Sequence, residues 1–163
     1  MRKFFCTAGL ALAALAACAD GVTVVNKGFP GRNSRDALQL LDREVLPLKA
    51  QHAVLFFGMN DAMNSGNLLS LSDYEANLRT LVKRLKGGGA RTVALVTIHP
   101  VIEPYVRERH PKHPQKEHLQ EHLAAYDRAV RALAKEQGLP LVDLREIVEA
   151  RGGAAVSADS LLR

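Results

Sequence analysis

The 163-residue chain contains no tryptophan, and aromatic residues make up only 5% of it. So few flat side chains leave little platform for stacking single-stranded nucleic acid. Cysteine is as scarce: Cys6 and Cys18 are the only two, and both lie in an apolar N-terminal segment. Arg2 and Lys3 give that segment a positive head, residues 4–17 are apolar, and Ala17-Cys18-Ala19 offers a small-x-small cleavage site. The run is shorter than the roughly 20 residues of a membrane span. Residues 1–19 therefore read as an export signal, which places the protein outside a bacterial cytoplasm. Leu15-Ala16-Ala17-Cys18 also reads as a lipoprotein box, in which a lipid on Cys18 would attach the chain to a membrane. Cleavage after Ala19 would leave no thiol, which excludes disulfides, a cysteine nucleophile and cysteine–zinc sites. A strong charge of one sign is missing too. Removing Arg2 and Lys3 from the 22 basic residues leaves 20 against 17 acidic ones. That excess does not argue for a nucleic-acid partner. The cluster Arg107, Arg109, Lys112 and Lys116 reads as a solvated loop.

What is present is ordinary globular material, 47% hydrophobic, enough for one domain over residues 20–163. Residues 22–25 form a short β-branched run. Ser34 is placed to cap a helix starting near Arg35, with Ala37, Leu38, Leu41 and Val45 on one face and Pro47 at its end. Residues 53–57 are continuously apolar, as in a strand buried on both faces. After a polar loop over 62–71, Ser72 and Glu75 match a capping box for a helix carrying Tyr74, Leu78, Leu81, Val82 and Leu85 on one stripe. Gly87-Gly88-Gly89 stops that helix. A third strand over 92–98 leads into a Pro- and His-rich loop over 99–115. A long helix follows with Leu119, Leu123, Tyr126, Val130 and Leu133 on one face, then a strand over 140–142 and a short last helix. Strands alternating with helices predict βαβ units, a parallel sheet and a single three-layer α/β domain.

The chemistry concentrates at two strand ends. Residues 22–25 run into Asn26-Lys27-Gly28-Phe29-Pro30-Gly31-Arg32-Asn33-Ser34, and residues 53–57 into Gly58-Met59-Asn60-Asp61. Open α/β sheets place their ligand sites at such carboxyl ends. The two motifs, in this order, resemble the second and third sequence blocks of the SGNH (GDSL-like) esterase and lipase family. The resemblance runs from about Asp20 to the C-terminus. It implies a three-layer α/β/α sandwich with a parallel, flavodoxin-like sheet, and hydrolysis of carboxylic esters or acylated carbohydrates without a cofactor. By the same resemblance Gly31 supplies a backbone N–H and Asn60 a side-chain amide to an oxyanion hole. Asp61 supports them by accepting backbone N–H bonds.

Two blocks of that family are missing. No Gly-Asp-Ser precedes residue 22, and Ala158-Asp159-Ser160-Leu161-Leu162 has leucine where Asp-x-x-His needs histidine. The nucleophilic serine and the catalytic histidine are thus absent. The expectation is a truncated domain whose sheet lacks an interior strand between residues 22–25 and 53–57, unless the apolar N-terminal segment substitutes for it. Ser34, the serine nearest the two motifs, reads as a helix cap. The main rival is a catalytically inactive, binding-only relative. A further rival comes from His118-Leu119-Gln120-Glu121-His122, the His-x-x-Glu-His pattern of inverted zinc peptidases. Leu119 and Leu123 define the buried stripe and turn His118 and His122 away from it, and no third ligand is evident, so no metal is expected. His110 and His113 read as incidental metal ligands in the basic loop, and His99 as a residue placed to line the pocket.

Overall fold

The computed structural model describes residues 2–7 and 21–153. They form a five-stranded sheet flanked by helices. In chain order the elements are β1 (Arg2–Thr7), β2 (Val22–Asn26), α1 (Ser34–Leu40), β3 (His52–Leu55), α2 (Met59–Met63), α3 (Leu71–Gly87), β4 (Thr92–Val96), α4 (Glu103–Arg109), α5 (Leu119–Gln137), β5 (Leu141–Val142) and α6 (Leu144–Ala150). Every strand pair is parallel and the spatial order is β2-β1-β3-β4-β5. This is the flavodoxin-like order.

The interior position expected to be vacant is occupied. β1 pairs with β2 from Arg2↔Val22 to Cys6↔Asn26, and with β3 at Cys6↔Val54 and Thr7↔Leu55. The first residues of the segment read as an export signal are therefore the strand between β2 and β3. The rest of that segment, including Cys18, lies outside the described residues.

The core lies where α3 and α5 pack on each other and on β4. Val93 and Leu95 of β4 join Leu78, Leu81 and Val82 of α3 and Leu123, Tyr126 and Val130 of α5 in one buried cluster. The helical stripes expected from spacing are the buried ones. β3 buries Ala53 and Leu55 and leaves His52 and Val54 half-buried, so one face only is fully covered, not both. Helix starts depart by a residue or two. α1 is capped by Asn33, not Ser34, and α3 by Ser70, whose Oγ accepts from Asp73 N at 3.1 Å. Ser70-Leu71-Ser72-Asp73 repeats the Ser-x-x-acid spacing two residues earlier, so Leu71 can enter the first turn. The helix after α1 continues as a π-helical turn over Leu41–Val45 and a 3₁₀ turn around Pro47. Short helices α2 and α4 replace stretches expected to be loops.

A chain beginning at residue 20 would lose β1 and leave the facing N–H and C=O groups of β2 and β3 without partners. Each buried unpaired group costs roughly 1–3 kcal/mol. That chain is expected to show weak near-UV circular dichroism and strong dye binding beside a cooperative full chain. A cooperative thermal transition in the shortened protein would show that β2 and β3 had closed on each other.

Candidate active site

A cavity of about 440 Å³ opens beside the carboxyl ends of β2 and β3. Gly31, Asn60, Asn64, His99 and His110 line its polar side, and Leu41, Leu55 and Ile102 are among its apolar residues. Two loop–helix junctions build the polar side. After β2, Asn26 Oδ1 accepts Gly28 N at 2.8 Å, and Gly31 turns the chain at φ +74°. Asn33 then caps α1 reciprocally: its Oδ1 accepts Asp36 N at 3.1 Å while Asp36 Oδ2 accepts Asn33 N at 3.2 Å. After β3, the chain turns at Gly58 with φ +115°. A Cβ there would lie 2.2 Å from Ile98 Cδ1, so the junction admits glycine alone.

Asp61 joins the two junctions. It is fully buried, its Oδ1 accepts both Ser34 N at 3.0 Å and Ser34 Oγ at 2.5 Å, and its Oδ2 accepts Gly58 N at 3.0 Å. Burial pushes its carboxyl above the ordinary range, opposed by the bonds from Ser34 and Gly58. Ser34 is at the first position of α1, fully buried, with its Oγ also accepting from Asn77 Nδ2 at 3.0 Å. It is neither a cap nor exposed to a substrate.

Gly31 and Asn60 both line the cavity, one from each junction. Asn60 is half-buried and its Nδ2 donates to Arg32 O at 3.0 Å. A primary amide carries a second hydrogen, so Asn60 keeps a donor beyond that bond. Asn64 Nδ2 reaches Gly31 O at 3.4 Å, a further tie between the junctions.

Of the histidines, His99 lines the cavity and its Nδ1 donates to Pro100 O at 2.9 Å. Burial pushes its pKa below the usual 6.5, the Pro100 bond opposes this, and Arg145 adds to the lowering. His113 is buried: its Nε2 donates to Ala62 O at 2.8 Å and its Nδ1 accepts Gln115 N at 3.1 Å, which pins the loop after α4 onto α2. His118 stands exposed at the start of α5 and Glu121 is exposed. His122 packs edge-on against His113 and Tyr126, with ring centroids 5.6 and 5.1 Å away. Among the described residues no three or more His, Cys, Asp or Glu are grouped to hold a metal ion. His118, Glu121 and His122 do not form such a group among the described residues.

The sequence reading missed the groups that fix the other wall. Asp127 Oδ1 accepts Ile98 N at 2.9 Å just past β4, and its Oδ2 accepts Arg131 Nε at 2.8 Å. Arg131 also pairs with Asp143, which it holds down at about 2. Arg145 Nε donates to Ile98 O at 3.1 Å. His110 lines the cavity, and its Nδ1 lies 3.1 Å from the exposed Ser65 Oγ. Only helical spacing hinted at Asp127 on α5, and nothing in sequence joined Ser65 to His110.

Residues 7–161 match the GDSL-like lipase/acylhydrolase family. An isoamyl acetate-hydrolyzing esterase of Saccharomyces cerevisiae is 29% identical over 143 residues, covering 81% of this chain and 57% of the yeast protein. An acetylxylan esterase of Geobacillus stearothermophilus is 28% identical over 130 residues, 76% of this chain and 54% of that protein. The chain thus spans little more than half the length of these relatives. A crystal structure of a lipase/acylhydrolase from Enterococcus faecalis superposes with a TM-score of 0.71 at 24% identity, covering 92% of this chain and 80% of that one. That likeness shows the fold.

Asp61→Ala removes the shared acceptor and leaves Ser34 N and Gly58 N buried without partners. The expected loss is about 2–5 kcal/mol, read as a lower denaturation midpoint; an unchanged midpoint would mean that the junctions hold without the carboxylate. The histidines set a pH dependence. The folded pKa of His99 is depressed, so as pH falls through 6.5 the unfolded chain takes up a proton that the folded one refuses. His122 is depressed in the same way by burial and His113. Stability is complete above 6.5 and falls below it, and thermal melts should show a smaller fall for His99→Gln.

Proposed function

Because the chain belongs to the GDSL-like lipase/acylhydrolase family, we propose that its cavity binds and hydrolyses carboxylic esters of short acyl groups. The observation that carries this reading is the convergence of Gly31 and Asn60 on one cavity. Attack on an ester carbonyl puts negative charge on its oxygen, and fixed neutral donors aimed there stabilise the transition state more than the ground state. The Gly31 N–H and the second amide hydrogen of Asn60 are those donors. Asp61 touches no substrate; it positions both junctions. The substrate we infer is an acylated carbohydrate, with the sugar as the alcohol portion. The acetylxylan esterase relative supports this, as do Phe29 and Tyr105, exposed aromatic side chains at the cavity that offer flat faces to a sugar ring.

A second reading, binding without turnover, is favoured by one observation: the sequence contains neither Gly-Asp-Ser nor Asp-x-x-His. Export, with or without a lipid on Cys18, rests on the pattern of residues 1–19 alone and would require the folded protein to give up β1 on cleavage.

The test is saturable hydrolysis of p-nitrophenyl acetate by the full chain. Asn60→Ala is expected to lower kcat by about a hundredfold with a modest change in KM. An unchanged kcat in that variant would remove Asn60 from the oxyanion hole. Saturable binding of an acetylated sugar without any turnover would select the binding-only reading.

A further inference from the structure

The charged side chains that line the cavity are all of one sign. Lys27, Arg32 and Arg109 stand around it, and no carboxylate lines it among the described residues. Two of the three cations have partners outside the cavity lining. Lys27 Nζ donates to Glu44 Oε2 at 3.1 Å, and Arg32 Nη1 lies 3.6 Å from Asp36 Oδ1. Arg109 pairs with no carboxylate among the described residues; its Nη1 donates to the Tyr105 hydroxyl at 3.0 Å, one turn earlier on α4. Arg107 on the same helix is different. It is paired with Glu103 at 2.8 Å and Glu117 at 3.9 Å, and it does not line the cavity. The basic cluster expected to be a solvated loop therefore divides, with Arg107 in a surface ion pair and Arg109 at the cavity.

A guanidinium carries five N–H donors in one plane, a fork that fits a carboxylate or a phosphate through two parallel bonds. Tyr105 occupies one of those donors on Arg109. Tyr105 is also the exposed ring offered to a sugar, so an acidic substituent on that sugar would come within reach of the guanidinium. Arg32 stands in the same loop as the oxyanion donors: it follows Gly31, and its carbonyl accepts Asn60 Nδ2 at 3.0 Å. The positive field is felt inside the site, where burial first, then Arg109 and His113, lower the His110 pKa below its usual 6.5. A pocket lined by charge of one sign concentrates ligands of the other and selects for them. A neutral ester gains nothing from that charge.

We propose that the ester received here is acidic: an acylated carbohydrate whose sugar carries a carboxylate or a phosphate, held by the Arg109 guanidinium while the ring lies on Tyr105. Lys27 and Arg32 add to the attracting field. The inference rests on the ester-site reading above and names the substrate class within it.

The full chain is titrated by calorimetry with three acetylated sugars that differ only at the exocyclic carbon: acetylated glucose, acetylated glucuronate, and acetylated glucose with a terminal phosphate. The Asn60 side-chain amide is followed by NMR in parallel. The acidic sugars are expected to bind about tenfold tighter than the neutral one, to shift the Asn60 amide, and to lose their advantage as salt is raised. Arg109→Gln should bring them down to the affinity of the neutral sugar, whereas Arg107→Gln should leave the preference in place. Arg109 is exposed, so its replacement should not move the melting temperature. A preference for one acidic sugar alone would support the inference and tell carboxylate from phosphate. Equal affinity for all three with a shifted Asn60 amide would overturn the acidic substrate and leave the ester site standing. A preference that survives Arg109→Gln, or that Arg107→Gln removes as fully, would also overturn it. Glucuronate without its acetyl group, bound as tightly and with the Asn60 amide unmoved, would mark an anion site unrelated to esters and overturn it too. No binding of any of the sugars would overturn both readings.

Discussion

A single buried carboxylate holds the cavity together. Asp61 accepts Ser34 N, Ser34 Oγ and Gly58 N, so the start of α1 and the end of β3 share one anchor. Placing a carboxylate in a dry site is costly unless hydrogen bonds replace the lost water. Here three donors do so, and the directionality of those bonds converts the cost into geometry. Gly31 and Asn60 stand on opposite sides of that anchor, one ahead of α1 and one inside α2. Their separation is therefore set by Asp61 and not by either loop alone. Asn33 adds a second tie, donating to Asn67 O at 2.8 Å while Asn67 Nδ2 donates to Asp36 Oδ2 at 3.2 Å.

The sheet supplies the rigid ground for these ties. Five parallel strands end on one side, and the loops leaving β2, β3 and β4 converge there. The β4 side is fixed by charge: Asp127 receives Ile98 N and is paired with Arg131, whose other partner, Asp143, caps α6 through Glu146 N at 3.0 Å. His113 fastens the α4 loop to Ala62. Apolar burial sets the helices on the sheet, whereas directional polar bonds set the loops on each other.

Much of this was legible from spacing. The stripes of α3 and α5 repeat at helical period from Tyr74 to Leu85 and from Leu119 to Leu133, so burial of one face followed from the pattern. Helix starts were less legible. Asn33 and Ser34, or Ser70 and Ser72, are equally able to cap in isolation, and packing of the neighbouring apolar residues chose between them. The motif residues Gly31, Asn60 and Asp61 were found because they lie in short, contiguous runs at strand ends. Ser65, Asp127 and Arg145 were not, and His110 was read only as an incidental metal ligand. Their partners lie tens of residues away, and no local periodicity carries such information.

By itself the sequence determined the alternation of strands and helices, the two polar junctions, and the lack of Gly-Asp-Ser and Asp-x-x-His, because each is a property of neighbouring residues. Only the tertiary structure decided what Arg2–Thr7 does. A short apolar run with a basic head suits a membrane-directed signal and a buried strand equally well, and no local feature separates them. In the structure Arg2–Thr7 takes strand partners far along the chain: β2 and β3 each present a ladder edge, and β1 satisfies both at once. Hydrogen bonding between strands is non-local, so the order of the sheet, and with it the place of the site, came from the fold.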